Sequence, residues 1–181
     1  MLKDYLKENN MSIYRLSKNT GIAYSTLNYI ATGKTKIENV EFGNITKIKN
    51  ELNVSYEDIL ELCKEYTLQD FETFKSSICH EVKQKGNAQF IIDIISSNDV
   101  EHLWKICRKE EALYLIGMVD YLSRLEEVDR CNKYDIYRNY KMDPLMFPLG
   151  MKIQNKNTIP ENAIPEFLER GIVEGDVFNV A

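Results

Sequence analysis

Apolar residues in positions 1–64 recur every three or four residues, the spacing of amphipathic helices. This pattern predicts five short helices: residues 2–9, 13–19 and 24–31, then one helix carrying Phe42, Ile45, Ile48 and Leu52, and one carrying Ile59, Leu60 and Leu62. We expect Ser12, Asn39 and Ser55 to be the N-caps of the second, fourth and fifth helices. Gly21 permits a tight turn before the third. No alternating strand pattern interrupts the series.

A second helical series follows from residue 71. One apolar stripe ends at Gly86, residues 110–126 form the longest and most apolar segment, and a last helix over 163–170 ends at Gly171. The polar segment KEYTLQD separates the two series. We therefore expect an all-α protein with a five-helix domain over residues 1–64, a linker over 65–70, and a mostly helical second domain over 71–181.

Charge is distributed unevenly between these two parts. Residues 1–64 carry 9 Lys or Arg against 8 Asp or Glu, whereas residues 65–181 carry 14 against 20. A protein that is acidic as a whole can still bind nucleic acid if one face of the first part concentrates the positive charge, and the acidic second part is then not expected to be the binder.

Composition and cysteine spacing indicate the broad class of protein. Apolar residues make up 44% and charged residues 28% of the 181 residues, as in ordinary globular proteins. The longest apolar run is too short to span a bilayer, and the N-terminus is charged. The cysteines lack metal-ribbon or disulfide spacing: Cys63, Cys79, Cys107 and Cys131. These features predict a cytoplasmic protein that is neither secreted nor membrane-spanning.

Residues 12–33, SIYRLSKNTGIAYSTLNYIATG, read as helix, glycine turn, helix. Four apolar side chains are placed to hold the two helices together: Leu16, Ile22, Leu27 and Ile30. The Ser-Thr-Leu run at 25–27 and the closing Gly33 and Lys34 complete a motif that resembles the helix-turn-helix of the phage-repressor-like (Cro/CI, XRE-type) family. The resemblance covers about the first 64 residues.

This resemblance implies DNA binding, with residues 24–31 as the recognition helix in a major groove. The sequence departs from the family at Ala23, where a Ser or Thr usually caps that helix. Losing such a cap typically costs about 0.5 to 2 kcal/mol. Ser25 is a substitute cap candidate.

Exposed side chains of the recognition helix are the predicted base readers and backbone contacts. Asn28 can bond an adenine edge twice, while Tyr24, Ser25 and Thr26 can contact phosphates or bases and Tyr29 lies on the same side. The predicted phosphate contacts are Arg15, Lys18, Lys34 and Lys36. The other interpretation is that all of these residues form an ordinary solvated helix surface.

The number of cations predicts an oligomeric state. Four cations are few for tight binding by a monomer, because each neutralised phosphate adds one increment of counterion release. We therefore expect a homodimer on double-stranded DNA, with an inverted-repeat operator and recognition helices ~34 Å apart.

In the second domain, Asp120 falls within the apolar arc of the helix over 110–126. A buried carboxylate requires a cationic partner, which Arg124 or Arg138 can supply. A general-base role has no nucleophile or second acid beside it, so a structural ion pair is the preferred interpretation.

No enzyme activity, cofactor or metal site is predicted. His80 and His102 lie near Cys79 and Cys107 in sequence, but adjacent residues on a helix point about 100° apart and would not chelate one ion easily. The C-terminal region is rich in apolar residues that either complete the domain core or form a dimer or partner surface: Phe147, Ile164, Phe167, Leu168, Ile172, Val177, Phe178 and Val180.

Two functions are consistent with this organisation. The first is a DNA-binding repressor, interpreted as the autoregulating antitoxin of a toxin-antitoxin operon whose acidic domain covers a basic toxin. The second is a mobile-element inhibitor, because LKDYLKENNMSIYRLSKNTG is similar to the start of a two-domain, all-helical anti-CRISPR protein of prophages.

Overall fold

A computed structural model describes residues 2–154 and 158–178 of the chain. Within these residues the all-α class is confirmed, since they contain no extended strand and only an isolated bridge between Met146 and Ile172. The helices are α1 (Leu2–Glu8), α2 (Ile13–Thr20), α3 (Tyr24–Ala31), α4 (Phe42–Leu52), α5 (Tyr56–Cys63), α6 (Leu68–Lys85), α7 (Asn87–Ser96), α8 (Asp99–Lys105), α9 (Lys109–Leu125), α10 (Asp135–Arg138), α11 (Leu149–Ile153) and α12 (Pro165–Leu168). Single 3₁₀ turns cover Ile37–Asn39 and Asn132–Tyr134.

The chain divides into two compact units. Unit 1 comprises Met1–Tyr66 and Lys105–Cys107, and unit 2 comprises Thr67–Trp104 and Arg108–Ala181. Residues 68–70, placed in the linker by the sequence, form the first turn of α6, because Thr67 caps that helix by accepting a hydrogen bond from the Asp70 amide.

In unit 1, local sequence signals set the ends of several helices. Ser12 Oγ accepts a hydrogen bond from the Arg15 amide at 3.1 Å, which caps α2. Ser55 and Asp58 form a reciprocal capping box at the start of α5. The core of this unit contains α1–α5 side chains and also Ile106.

Two expectations for α4 are wrong. Asn39 does not cap this helix, because it lies inside the 3₁₀ turn, and α4 begins after Glu41 without a side-chain cap. Phe42 does not enter the core: as the first residue of α4 it lies beyond the buried residues of that helix, is 69% exposed and stacks on Tyr56 at 5.4 Å.

Unit 2 is organised around α9. Residues 111–120 of this helix are all buried, and it packs against α6, α7 and α12. Gly117 allows α12 to approach closely, because a Cβ at this position would lie 2.8 Å from the ring of Phe167.

Much of the apolar C-terminal region belongs to the core of unit 2. Ile164, Phe167, Ile172 and Val177 are buried, and Phe147 and Leu168 are half-buried. Phe178 is 39% exposed, and Val180 lies outside the described residues. The last helix is shorter than the predicted range 163–170. It begins at Pro165 and ends at Leu168.

The buried carboxylate of Asp120 is paired with two arginines. Its oxygens accept hydrogen bonds from Arg138 Nε at 3.0 Å and Arg138 Nη2 at 2.6 Å, and from Arg170 Nη2 at 3.0 Å. Arg124, the other partner considered from the sequence, does not join this cluster: its exposed guanidinium bonds both carboxylate oxygens of Glu166. The i,i+4 spacing did not identify the partner of Asp120, because Arg124 pairs with Glu166 at the surface. Arg170, which pairs with Asp120 instead, lies in a distant part of the sequence.

Candidate nucleic-acid interface

Helices α2 and α3 are locked together by four buried side chains and by the turn between them. Leu16 and Leu27 are both 0% exposed, and Ile22 and Ile30 are 5% and 1% exposed. Gly21 adopts a left-handed conformation with φ 70°, which favours glycine. Ser17 Oγ also donates a hydrogen bond to the Ile22 carbonyl at 2.6 Å. The orientation of α3 on α2 is therefore fixed by packing and by hydrogen bonds.

The face of α3 opposite this core is exposed. Tyr24 and Tyr29 are 52% and 48% exposed, Ser25 and Thr26 are exposed, and Asn28 is half-buried. Five side chains that the sequence singled out therefore lie on one short helix, away from the core or at its margin.

The side chain of Asn28 is available for an external partner. Its backbone carbonyl is engaged by the Thr32 amide and by Thr32 Oγ1 at 2.6 Å. Its side-chain amide makes no hydrogen bond to any of the residues in 2–154 and 158–178. An amide with both a free donor and a free acceptor is suited to an adenine edge.

The N-terminus of α3 lacks a side-chain cap. Ala23 precedes the helix with φ −55° and ψ 136° and no cap hydrogen bond forms, so the substitute cap considered at Ser25 is not made. The first amides of the helix therefore remain available to solvent or to an anionic group, and the helix dipole favours an anion at this end.

Four cations flank this helix. Arg15, Lys18, Lys34 and Lys36 are all exposed, and none is paired with a carboxylate in the part of the chain that the structure describes. The ammonium of Lys34 lies 5.6 Å from the ring centroid of Tyr29. The loop that carries Lys34 and Lys36 is tied to the end of α3, because the Thr35 amide donates to the Tyr29 carbonyl at 3.1 Å.

Three further residues lie beside this surface, although the sequence did not indicate any of them as a DNA contact. Tyr14 on α2 is 60% exposed, and the ammonium of Lys18 lies 5.4 Å from its ring centroid. Asn39 and Asn44 line an open groove of about 250 Å³ together with Thr26 of α3. The i,i+4 spacing of Tyr14 and Lys18 was a usable signal, whereas nothing in the local sequence connects Asn39 or Asn44 with α3.

The model of the Cro/C1-type HTH DNA-binding domain family matches residues 1–65. This first part of the chain is a Cro/C1-type helix-turn-helix domain. This match supports a role as a DNA-binding transcriptional regulator. Domains of this type are typically not enzymes. No curated protein and no solved structure has a significant match to the chain, so the comparisons assign nothing to unit 2.

Two further features concern the described residues as a whole. No helix over 2–154 or 158–178 is long and apolar enough to cross a bilayer. In the same ranges, no three His, Cys, Asp or Glu side chains are grouped to hold a metal ion.

Proposed function

We propose that the protein is a repressor that binds an inverted-repeat operator upstream of its own gene as a homodimer. We further propose that its acidic second unit binds a basic protein, as the antitoxin of a toxin-antitoxin pair would. The observation that carries the DNA-binding part is the exposed outer face of α3, whose polar side chains lie opposite a fully packed core.

Base reading is assigned to the outer face of α3. Asn28 is the proposed reader of an adenine. Its unpartnered side-chain amide can donate a hydrogen bond to adenine N7 and accept one from the adenine N6 amino group at the same time. Tyr24, Ser25 and Thr26 lie in the first turn of α3 and are proposed to contact phosphates or bases there, with Tyr29 beside them.

Phosphate binding is assigned to Arg15, Lys18, Lys34 and Lys36. Their exposure and lack of carboxylate partners leave each charge available for a phosphate. Four contacts on each of two protomers give a dependence of log K on log salt of about −7, taking roughly −0.9 for each phosphate. A monomer would give about half this slope.

A basic protein partner is proposed from the charge of the second part of the chain. Residues 65–181 carry 14 Lys or Arg against 20 Asp or Glu. Such a surface would repel DNA and attract a cationic protein, so one chain can serve as regulator and as inhibitor of its partner.

The DNA-binding proposal is tested by titrating the full-length protein against its own upstream DNA in a fluorescence-anisotropy assay. Asn28→Ala is expected to weaken binding by about 5- to 100-fold, the range for loss of a bidentate base contact. Asn50→Ala is the matched control, because Asn50 is an exposed asparagine on α4. Equal affinities for the two variants would remove Asn28 from the interface.

The antitoxin proposal predicts that a short basic protein is encoded next to the gene of this chain, and it is tested separately by co-expressing the full chain with that protein. We expect the pair to co-elute in size-exclusion chromatography and the growth defect caused by the basic protein to disappear. Toxicity that persists unchanged during co-expression would contradict the antitoxin role without affecting the DNA-binding proposal.

A further inference from the structure

Three aromatic side chains of unit 2 form a compact group, here called the aromatic cluster (Trp104, Tyr137 and Tyr140). Trp104 lies in the last turn of α8, Tyr137 lies in α10, and Tyr140 follows that helix. The ring centroid of Trp104 is 4.7 Å from that of Tyr137 and 4.7 Å from that of Tyr140, with interplanar angles of 43° and 70°. The rings are therefore inclined to one another and present more than one face.

The aromatic cluster already holds a cation from its own chain. The ammonium of Lys109 lies 5.4 Å from the Trp104 ring centroid and 5.9 Å from that of Tyr140. Both distances are within the range in which the negative face of an aromatic ring attracts a positive charge. One ammonium is thus shared by two rings, an arrangement that recognises a cation.

A carboxylate increases the negative potential of the aromatic cluster. Glu101 lies one helical turn before Trp104, and its Oε2 is buried without a hydrogen-bond partner in the described chain, while Oε1 is 3.3 Å from Lys133 Nζ. The pKa of Tyr137 is raised by burial and, as the second cause, by the charge of Glu101.

The rings remain accessible from solvent. Tyr140 is 52% exposed, and Trp104 and Tyr137 are half-buried. Aromatic groups that serve only to fill a core are covered more completely, as Tyr114 and Tyr134 are in this unit at 0% exposure. A cation from solution can therefore reach the ring faces by displacing the ammonium of Lys109 from them.

We propose that the aromatic cluster is a binding site for a small alkylammonium ligand, of which a quaternary ammonium group is the best-matched form. Lys109 occupies the site in the ligand-free protein and competes with the ligand. A quaternary ammonium spreads its charge over methyl groups and is weakly hydrated, so contact with aromatic faces replaces little hydration. This site is separate from the residues proposed to contact DNA.

The test uses the fluorescence of Trp104, which is the single tryptophan of the chain and therefore reports on this site alone. The full-length protein is titrated with choline at constant ionic strength. The parallel probe is 3,3-dimethylbutan-1-ol, which has the shape of choline without its charge. We expect a saturable change with choline, with a Kd on the order of 1–10 mM, and no saturable change with the neutral alcohol.

Two variants distinguish recognition from packing. Lys109→Gln removes the internal competitor and is expected to tighten choline binding roughly two- to five-fold. Tyr140→Ala removes an exposed ring and is expected to abolish saturation at the same concentrations. Phe42→Ala, which removes an exposed ring in unit 1, is the control and should leave the titration unchanged.

An equal response to the neutral alcohol, the absence of saturation with choline, or an unchanged or weaker affinity in Lys109→Gln would each overturn the proposal and leave the aromatic cluster as a packing contact only. If circular dichroism shows that Tyr140→Ala does not fold, Lys109→Gln and the neutral alcohol decide the question alone.

Discussion

Replacing Asp120 by asparagine removes one negative charge from a buried cluster that contains two arginines. The side chains of Asp120, Arg138 and Arg170 are only 3%, 5% and 4% exposed. Asparagine keeps the shape, but one carboxylate oxygen becomes an amide that points hydrogens toward a guanidinium. Two other carboxylates contact the arginines, Asp135 and Glu169, but their side chains are 58% and 61% exposed. Because solvent screens exposed charges, they compensate the buried positive charge of the arginines poorly.

The expected loss of stability follows from this burial. Removing one partner of a buried ion pair typically costs about 3–5 kcal/mol, because it leaves uncompensated charge in a region of low dielectric. Three hydrogen bonds to the carboxylate are weakened at the same time, at 2.6, 3.0 and 3.0 Å. We therefore expect Asp120→Asn to lower the free energy of unfolding by about 3–5 kcal/mol, a large part of the roughly 5–15 kcal/mol that stabilises a typical domain.

The assay is urea unfolding of the full-length protein, followed by Trp104 fluorescence because this residue lies in unit 2. With a slope of about 1–3 kcal/mol per molar urea, the expected midpoint shift is at least about 1 M. Arg124→Gln is the matched control, since Arg124 is 54% exposed in its pair with Glu166 and such pairs contribute about 0–1 kcal/mol. If Asp120→Asn lowers the free energy of unfolding no more than Arg124→Gln does, the buried cluster does not stabilise unit 2 as argued.

Further predictions concern unit 1. A Cβ at Gly21 or Gly43 would meet nothing within 4 Å. Gly21→Ala should therefore lower the free energy of unfolding by about 1–2 kcal/mol from its positive φ alone, while Gly43→Ala inside α4 should raise it by about 0.5–1 kcal/mol. Equal effects of the two substitutions in urea unfolding would contradict this reasoning. Ala23→Ser should raise stability by about 0.5–2 kcal/mol by capping α3, and an unchanged melting temperature would show that no cap forms. Burial raises the pKa of Cys63 from 9.0 to about 12, so this thiol ionises first in the unfolded chain. Its contribution to stability should therefore be constant below pH 9 and fall between pH 9 and 12. Cys63→Ala should lack this part of the decline in urea titrations across that range, and an identical decline would assign it to other groups.

Features of unit 1 that depend on local sequence could be predicted. Ser12 and Ser55 cap helices because the cap needs only an oxygen three residues before an amide, and Gly21 marks the turn because few other residues adopt its conformation. The buried positions Leu16 and Leu27 followed from helical spacing for the same reason.

Features that depend on distant residues could not be predicted in full. Burial of Asp120 followed from its helix face, but its partner Arg170 is 50 residues away and carries no local signal. Trp104 is half-buried in the aromatic cluster because it packs on Tyr137 and Tyr140, which lie more than 30 residues later in the sequence. Likewise, the 3₁₀ turn that moved Asn39 away from the start of α4 is set by the conformation of the whole loop.

The proposed function requires the outer face of α3 to contact the bases of the operator. The most direct measurement is an NMR titration of the ¹⁵N-labelled full-length protein with its upstream DNA. We predict that the largest amide shifts fall at residues 24–29 and 34–36, with smaller shifts around Arg15 and Lys18. Largest shifts within residues 67–104 or 108–178, with 24–29 unaffected by saturating DNA, would contradict base reading by α3.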